Sequence, residues 1–107
     1  MTSLNTILVN TQEGKKLIHP DEIICIRARR KKSEITLTTN HKIIANCCLI
    51  WFEKNLPGNT FLRSHRSYII NILYVKAFTA YSLIFDHQTS VPMGRQFSDK
   101  IKKCLSG

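Results

Sequence analysis

The chain has 107 residues, enough for one hydrophobic core and too few for two, so one domain spanning residues 1–107 is the expectation. Apolar residues make up 43% and charged residues 21%, which argues against a disordered or a membrane class. The unbalanced quantity is charge: sixteen Lys and Arg against seven Asp and Glu give a formal +9, the electrostatic footprint of a protein that binds a polyanion.

Met1 to Thr6 has neither a basic n-region nor an apolar h-region, and no apolar run approaches a membrane span; neither secretion nor a membrane partner is expected, and a cytoplasmic location is. Thr6 to Val9, the turn residues Gln12 to Lys15 and Leu17-Ile18 read as an edge hairpin. His19-Pro20-Asp21-Glu22 breaks the pattern, since proline lacks a backbone donor and biases His19 away from helix. Ile23 to Ile26 follows as a strand.

Arg27 to Lys32 carries five cations and no acid and reads as a loop between paired strands, with the composition of a nuclear-localisation signal as well. From Glu34 to Thr38, Ile35 and Leu37 share one face of a half-buried strand. Thr39 to Lys42 is a tight turn in which Asn40 can take a left-handed backbone, and Ile43 to Ala45 is the returning strand. Leu49, Phe52 and Leu56 then recur at helical spacing until Pro57-Gly58 stops the run, with Asn46 placed to cap the helix or to face a ligand.

Phe61 to Asn71 sets two apolar pieces, Phe61-Leu62 and Tyr68 to Ile70, around Arg63, Ser64, His65, Arg66 and Ser67. After it, Val75 to Thr79 and Ser82 to Phe85 form a hairpin, Asp86 to Gln88 turns the chain, and a last strand lies near Val91. Pro92 to Arg95 leads into a terminal helix whose apolar positions are Phe97, Ile101, Cys104 and Leu105.

The four cysteines show no C-x-x-C pair and no closely spaced histidine, so reduced, mostly buried thiols are expected rather than zinc or a disulfide framework. No paired carboxylates, nucleophile with its base or phosphate-cradling glycine loop is present in the sequence, and an enzyme is not expected. DNA asks instead for cations and hydroxyls on phosphate plus a few rigidly held side chains at base edges. Arg66 suits a bidentate fork on guanine, while Arg63, Ser64 and Ser67 suit phosphate. Arg29, Arg30, Lys31 and Lys32 enter a groove or hold the backbone, and Arg95, after Gly94, suits a phosphate or a base. His65 and Asn71 fasten the backbone from inside. Single-stranded RNA would want exposed aromatics for stacking, whereas Phe61 and Tyr68 read as core anchors.

These residues carry a resemblance. Phe61-Leu-Arg-Ser-His-Arg-Ser-Tyr-Ile-Ile-Asn71 is similar to the signature of the LytTR DNA-binding domain, the output domain of many bacterial response regulators, with Phe61, His65, Tyr68 and Asn71 as its structural positions. Pro20 to Ile24, Leu49 with Phe52, and Val91-Pro92 with Arg95 extend the likeness over nearly the whole chain. It implies a mainly β, elongated arrangement of small antiparallel sheets with a short middle helix and a C-terminal helix. It also implies loops in successive major grooves and three contact regions, here Arg29 to Ser33, Arg66 and Arg95. The chain departs from the common pattern at Gly94, where many members carry serine, and at Lys32, where an aromatic residue is often found.

The expected function is a sequence-specific, double-stranded DNA-binding transcription regulator, with promoter sites as partner and no cofactor or metal. The other class left open is a protein-interaction module of the same fold that sets its basic face on an acidic partner. A homodimer on repeated half-sites, and a receiver domain on a separate chain or missing, also stay open.

Overall fold

The computed structural model describes residues 6–85 and 89–106. Along them run β1 (Ile7–Thr11), β2 (Gly14–Ile18), β3 (Ile23–Arg29), β4 (Lys32–Leu37), β5 (Lys42–Ala45), α1 (Leu49–Asn55), β6 (Phe61–His65), β7 (Tyr68–Asn71), β8 (Val75–Phe78), β9 (Ser82–Phe85), β10 (Ser90–Pro92) and α2 (Arg95–Ser106). The expected turn at Asp86 to Gln88 lies outside the described residues. No helix among the described residues is long and apolar enough to cross a membrane.

The fold is mainly β, with antiparallel sheets and two helices, as expected. Seven strands follow the order β2-β1-β5-β4-β3-β7-β6 and three the order β10-β9-β8. The β1–β2 hairpin joins the larger sheet through one register pair, Thr11 with Ala45, so that sheet is a five-stranded body with a hairpin attached. The extents, 38 × 38 × 25 Å, describe a flattened body and correct the expectation of an elongated one.

Two apolar cores, rather than the single one expected from the length, cover the two faces of the larger sheet. Ile23, Ile26, Ile35 and Ile69 pack with Leu49, Phe52 and Leu56 of the α1 region and with Val9 and Ile18 of the hairpin. Ile24, Cys25, Leu62 and Ile70 pack on the other side with Leu83, Phe85, Val91, Met93 and Ile101, which belong to the smaller sheet, its exit and α2. A register slip between Ile23 and Cys25 turns the consecutive pair Ile24-Cys25 to the second core, which is why the apolar run at the start of β3 shows no alternation.

Local chemistry sets the turns. Gly14 takes φ +110 between β1 and β2, and Asn40 takes φ 70 between β4 and β5, the left-handed conformation its short amide tolerates. The expected cap at Asn46 is not made. Its backbone N–H donates to the Asn10 carbonyl at 2.8 Å, and Cys48 precedes α1 without a side-chain cap.

Asn71 is fully buried where β7 ends. Its amide nitrogen donates to the Ile23 carbonyl at 3.0 Å and its oxygen accepts the Leu73 N–H at 2.9 Å, fastening β3 and the following 3-10 turn to one side chain. Asn71→Ala leaves those partners without it and is expected to cost about 2–3 kcal/mol, read as a lower urea midpoint at unchanged slope.

The expectation of mostly buried thiols holds only in part. Cys25 is buried and Cys47 half-buried, but Cys48 and Cys104 are exposed, because Cys48 stands before α1 and Cys104 falls off the Phe97, Ile101 and Leu105 face of α2. Burial pushes the Cys25 thiol up, so the fold favours its neutral form. That contribution to stability is complete below the ordinary thiol range and is lost as pH rises from there through the raised folded-state value. A disulfide reagent should modify Cys48 and Cys104 rapidly in the native protein and Cys25 only after denaturant unfolds it, as peptide mapping of the labelled chain would read.

Candidate nucleic-acid interface

The β6–β7 hairpin is anchored on both faces: Phe61 and Ile69 enter one core, Leu62 and Ile70 the other. Its register runs Phe61–Asn71, Leu62–Ile70 and Arg63–Ile69, then slips so that His65 meets Tyr68. Ser64 is the extra residue. It is fully buried, which removes it from phosphate, and its hydroxyl has no hydrogen-bond partner. Its carbonyl leaves the hairpin to accept the Gly94 N–H at 2.6 Å.

The turn itself is held from three sides. His65 Nδ1 accepts the Ser67 N–H at 3.1 Å, which assigns the ring proton to Nε2. Arg63 Nη1 donates to the Arg66 carbonyl at 2.6 Å, and Arg63 Nη2 reaches Glu53 Oε1 of α1 at 3.0 Å. With its side chain 20% exposed and its fork turned inward, Arg63 is a brace of the turn rather than the surface cation expected from the sequence. Ser67 is half-buried, and its carbonyl accepts the Ala28 N–H of β3 at 2.8 Å. Arg66 is exposed and belongs to no ion pair among the described residues.

The basic segment after β3 is less of a loop than expected. Strand pairing continues to Arg29 with Lys32, so only Arg30 and Lys31 form the turn, with Arg30 at φ 61. Arg29 lies 3.3 Å from Glu34, while Arg30, Lys31 and Lys32 are exposed. Ser33, placed by the resemblance in the contact region, is fully buried and donates its hydroxyl to the Cys47 carbonyl at 2.7 Å. Alternation along β4 turns it inward.

Arg95 opens α2 and is exposed. Before it, Gly94 fits closely: a Cβ there would stand 3.2 Å from the Phe97 ring and 3.7 Å from the Ser64 carbonyl. Arg66 and Arg95 line one open concavity of about 480 Å³ with His65, Gly94, Gln96 and Phe97. A second, of about 520 Å³, is lined by Arg27, Ala28, Arg29, Arg30, Lys32 and Ile44. Neither lining contains an acid.

Two backbone hydrogen bonds bring these regions to one end of the larger sheet, Ala28 to Ser67 and Gly94 to Ser64. The antiparallel register agrees, since Arg27 lies opposite Tyr68. Two further residues line the same end: Arg27, inside the basic run and indistinguishable from it by sequence, and Gln96, which carries no sequence signal. Phe61 and Tyr68 pack in the cores as expected, whereas two other aromatics stand outward: Tyr81 is 72% and Phe78 44% exposed. Such an end offers planar forks and ammonium groups to a polyanion from rigid strand termini. Among the described residues no group of three His, Cys, Asp or Glu side chains could hold a metal.

Residues 13–106 match the family model of the LytTr DNA-binding domain. The chain is 28% identical over 98 residues to the sensory transduction protein LytT of Bacillus subtilis, an alignment covering 86% of this chain and 41% of that protein. It is 36% identical over 81 residues to the transcriptional regulatory protein NatR of Bacillus subtilis, covering 76% and 35%. Against the transcriptional regulatory protein LytR of Staphylococcus aureus it is 36% identical over 73 residues, covering 64% and 30%. The chain thus spans less than half the length of these relatives. A solved LytTr DNA-binding domain from Bacillus cereus shares the fold, with a TM-score of 0.78 at 24% identity over 95% of this chain and 97% of that one.

The brace on the turn is testable without a ligand. Arg63→Ala removes the donor to the Arg66 carbonyl and is expected to cost about 1–3 kcal/mol of stability. It should also speed amide exchange of Ser67 and its neighbours more than that of β3.

Proposed function

The chain belongs to the LytTr DNA-binding domain family, and from that premise we propose that it binds double-stranded DNA sequence-specifically and regulates transcription as a bacterial response-regulator output domain does. The observation that carries this reading is the row of cations from three separate segments at one end of the sheet, lining two concavities that contain no acid, with only Arg29 paired, to Glu34. A duplex presents one phosphate charge per about 1.7 Å of axis, so a row of rigidly based cations gains from every phosphate it meets.

In this reading Arg66, projecting from the braced turn, donates its fork to O6 and N7 of a guanine in the major groove. Arg30, Lys31 and Lys32 lie on phosphates beside it, with Arg29 shared between Glu34 and the backbone. Arg95 enters the next groove segment from a backbone that Gly94 packs closely on the Phe97 ring and the Ser64 carbonyl, and the Ser67 hydroxyl takes a phosphate at the turn. Arg63 contributes by holding Arg66 in place. Turns, strand ends and the first residue of α2 carry every contact, so no recognition helix is needed. Residues 1–107 act as one domain in the bacterial cytoplasm, by binding and without a cofactor. Two copies on repeated half-sites, and a receiver domain elsewhere, would supply cooperativity and signal.

Selection of sites from a random DNA pool, followed by anisotropy titrations across salt concentrations, tests this. Log K should fall against log salt with a slope of about −0.9 for each phosphate neutralised. Arg66→Ala is expected to lose about 1–3 kcal/mol of discrimination at one base pair, whereas Arg30→Ala weakens all duplexes nearly equally. A flat salt response, or no preference of the wild type over random DNA, would sink the proposal in favour of binding to an acidic protein.

A further inference from the structure

The three basic regions form a row whose neighbours are joined by single backbone hydrogen bonds, and the row does not stop at Arg95. Ala28 donates to Ser67 at 2.8 Å and Gly94 donates to Ser64 at 2.6 Å. In the same manner Met93 donates to the Tyr81 carbonyl at 2.8 Å, continuing the β9–β10 pairing one step beyond Ser82 and Pro92. The chain between β8 and β9, Thr79 to Tyr81, therefore stands beside Met93, two residues before Arg95. Paired strands lie about 5 Å apart and successive Cα atoms 3.8 Å, so the Tyr81 and Arg95 backbones are within about 13 Å, at most about four base-pair steps along a duplex.

This turn is as firmly built as the other members. Thr79 N–H donates to the Ser82 carbonyl at 2.9 Å, and Thr79 Oγ1 accepts the N–H groups of Tyr81 and Ser82 at 3.2 and 3.1 Å while pairing with Ser82 Oγ at 2.8 Å. The threonine hydroxyl is thus spent on the turn. The group presented outward is Tyr81, 72% exposed and outside both cores. A single exposed aromatic is ordinary on a protein surface. One at the end of a row of groups suited to phosphate is not, because tyrosine is among the side chains that bind the sugar-phosphate backbone through a phenol donor and a flat apolar ring.

We propose that the β8–β9 turn is a fourth nucleic-acid contact, in which Tyr81 binds a backbone phosphate and its sugar on the Arg95 flank of the site. The proposal rests on the DNA-binding reading above and extends it in one direction only. The site is therefore lopsided, reaching further beyond Arg95 than beyond the Arg29 to Lys32 turn.

The test uses the whole chain and a duplex bearing the site it selects from a random pool, with long flanks on both sides. Tyr81→Ala is expected to weaken binding about 3- to 10-fold, the scale of one lost hydrogen bond with its packing. The slope of log K against log salt should not change, since tyrosine releases no counterion. Hydroxyl-radical protection should disappear at the flank beyond the positions that Arg95→Ala unprotects. Tyr81→Phe, which keeps the ring, should fall between, and both variants should melt with the wild type because no bond of the turn uses this side chain. Wild-type affinity and an unchanged footprint edge in Tyr81→Ala overturn the inference while leaving the DNA reading intact. A wild type with no preference over random DNA overturns both.

Discussion

Burial on both faces of β3 and β7 governs where this protein can put its charge. Ile23, Ile26 and Ile69 face one core, and Ile24, Cys25 and Ile70 the other. A lysine or arginine leaving the middle of either strand would be desolvated at a cost of several kcal/mol with no acid at hand to offset it. Along these two strands the cations are thus confined to the last part of β3 and the turn before β7. At one end the same two strands finish in Asn71 and the Ile23 carbonyl, a closed and neutral junction. At the other, Arg27 and Arg29 leave β3 and Arg66 precedes β7.

The cations that remain are based on backbone that has little freedom left. Arg30 sits in a left-handed turn of two residues, and Arg66 in a turn held by His65 and Arg63. Arg95 follows a glycine wedged between the Phe97 ring and the Ser64 carbonyl. Fixing these bases during folding reduces the ordering cost of association, which otherwise takes much of the gain from each contact. The bulge at Ser64 is the joint of the arrangement: the residue taken out of the β6–β7 ladder is the one whose carbonyl holds the entry to α2.

Much of this was legible in the sequence because periodicity and charge report on burial directly. The apolar runs of β3 and β7, the alternation in β4 and the spacing of Leu49, Phe52 and Leu56 located their elements to within a few residues. Inside Phe61 to Asn71 the sequence also separated Asn71 as a fastener from Arg66 as an exposed cation. It could not say that Arg63 turns inward, because that depends on Glu53, ten residues away and brought near by α1. Nor could it show that Ser33 and Ser64 are buried, since a small hydroxyl residue reads the same inside a sheet and on a loop. The loop assigned to Arg27 to Lys32 failed for a related reason. Paired cations at a strand end look like a turn when the partner strand is unknown, yet Arg29 and Lys32 sit opposite each other in the ladder.

The strands buried on both faces have another consequence, one that concerns the chain before it folds. Ile23 to Ile26 and Tyr68 to Ile70 are short, apolar and rich in β-branched residues, the composition that stacks into intermolecular sheets when exposed on unfolded chains. Arg27, Arg29 and Arg30 follow the first segment directly, and Arg63 and Arg66 precede the second. In an emerging chain these cations repel their counterparts on neighbouring copies and act as gatekeepers against aggregation. The residues placed at the strand ends by the folded core thus also keep the unfolded chain soluble until that core closes.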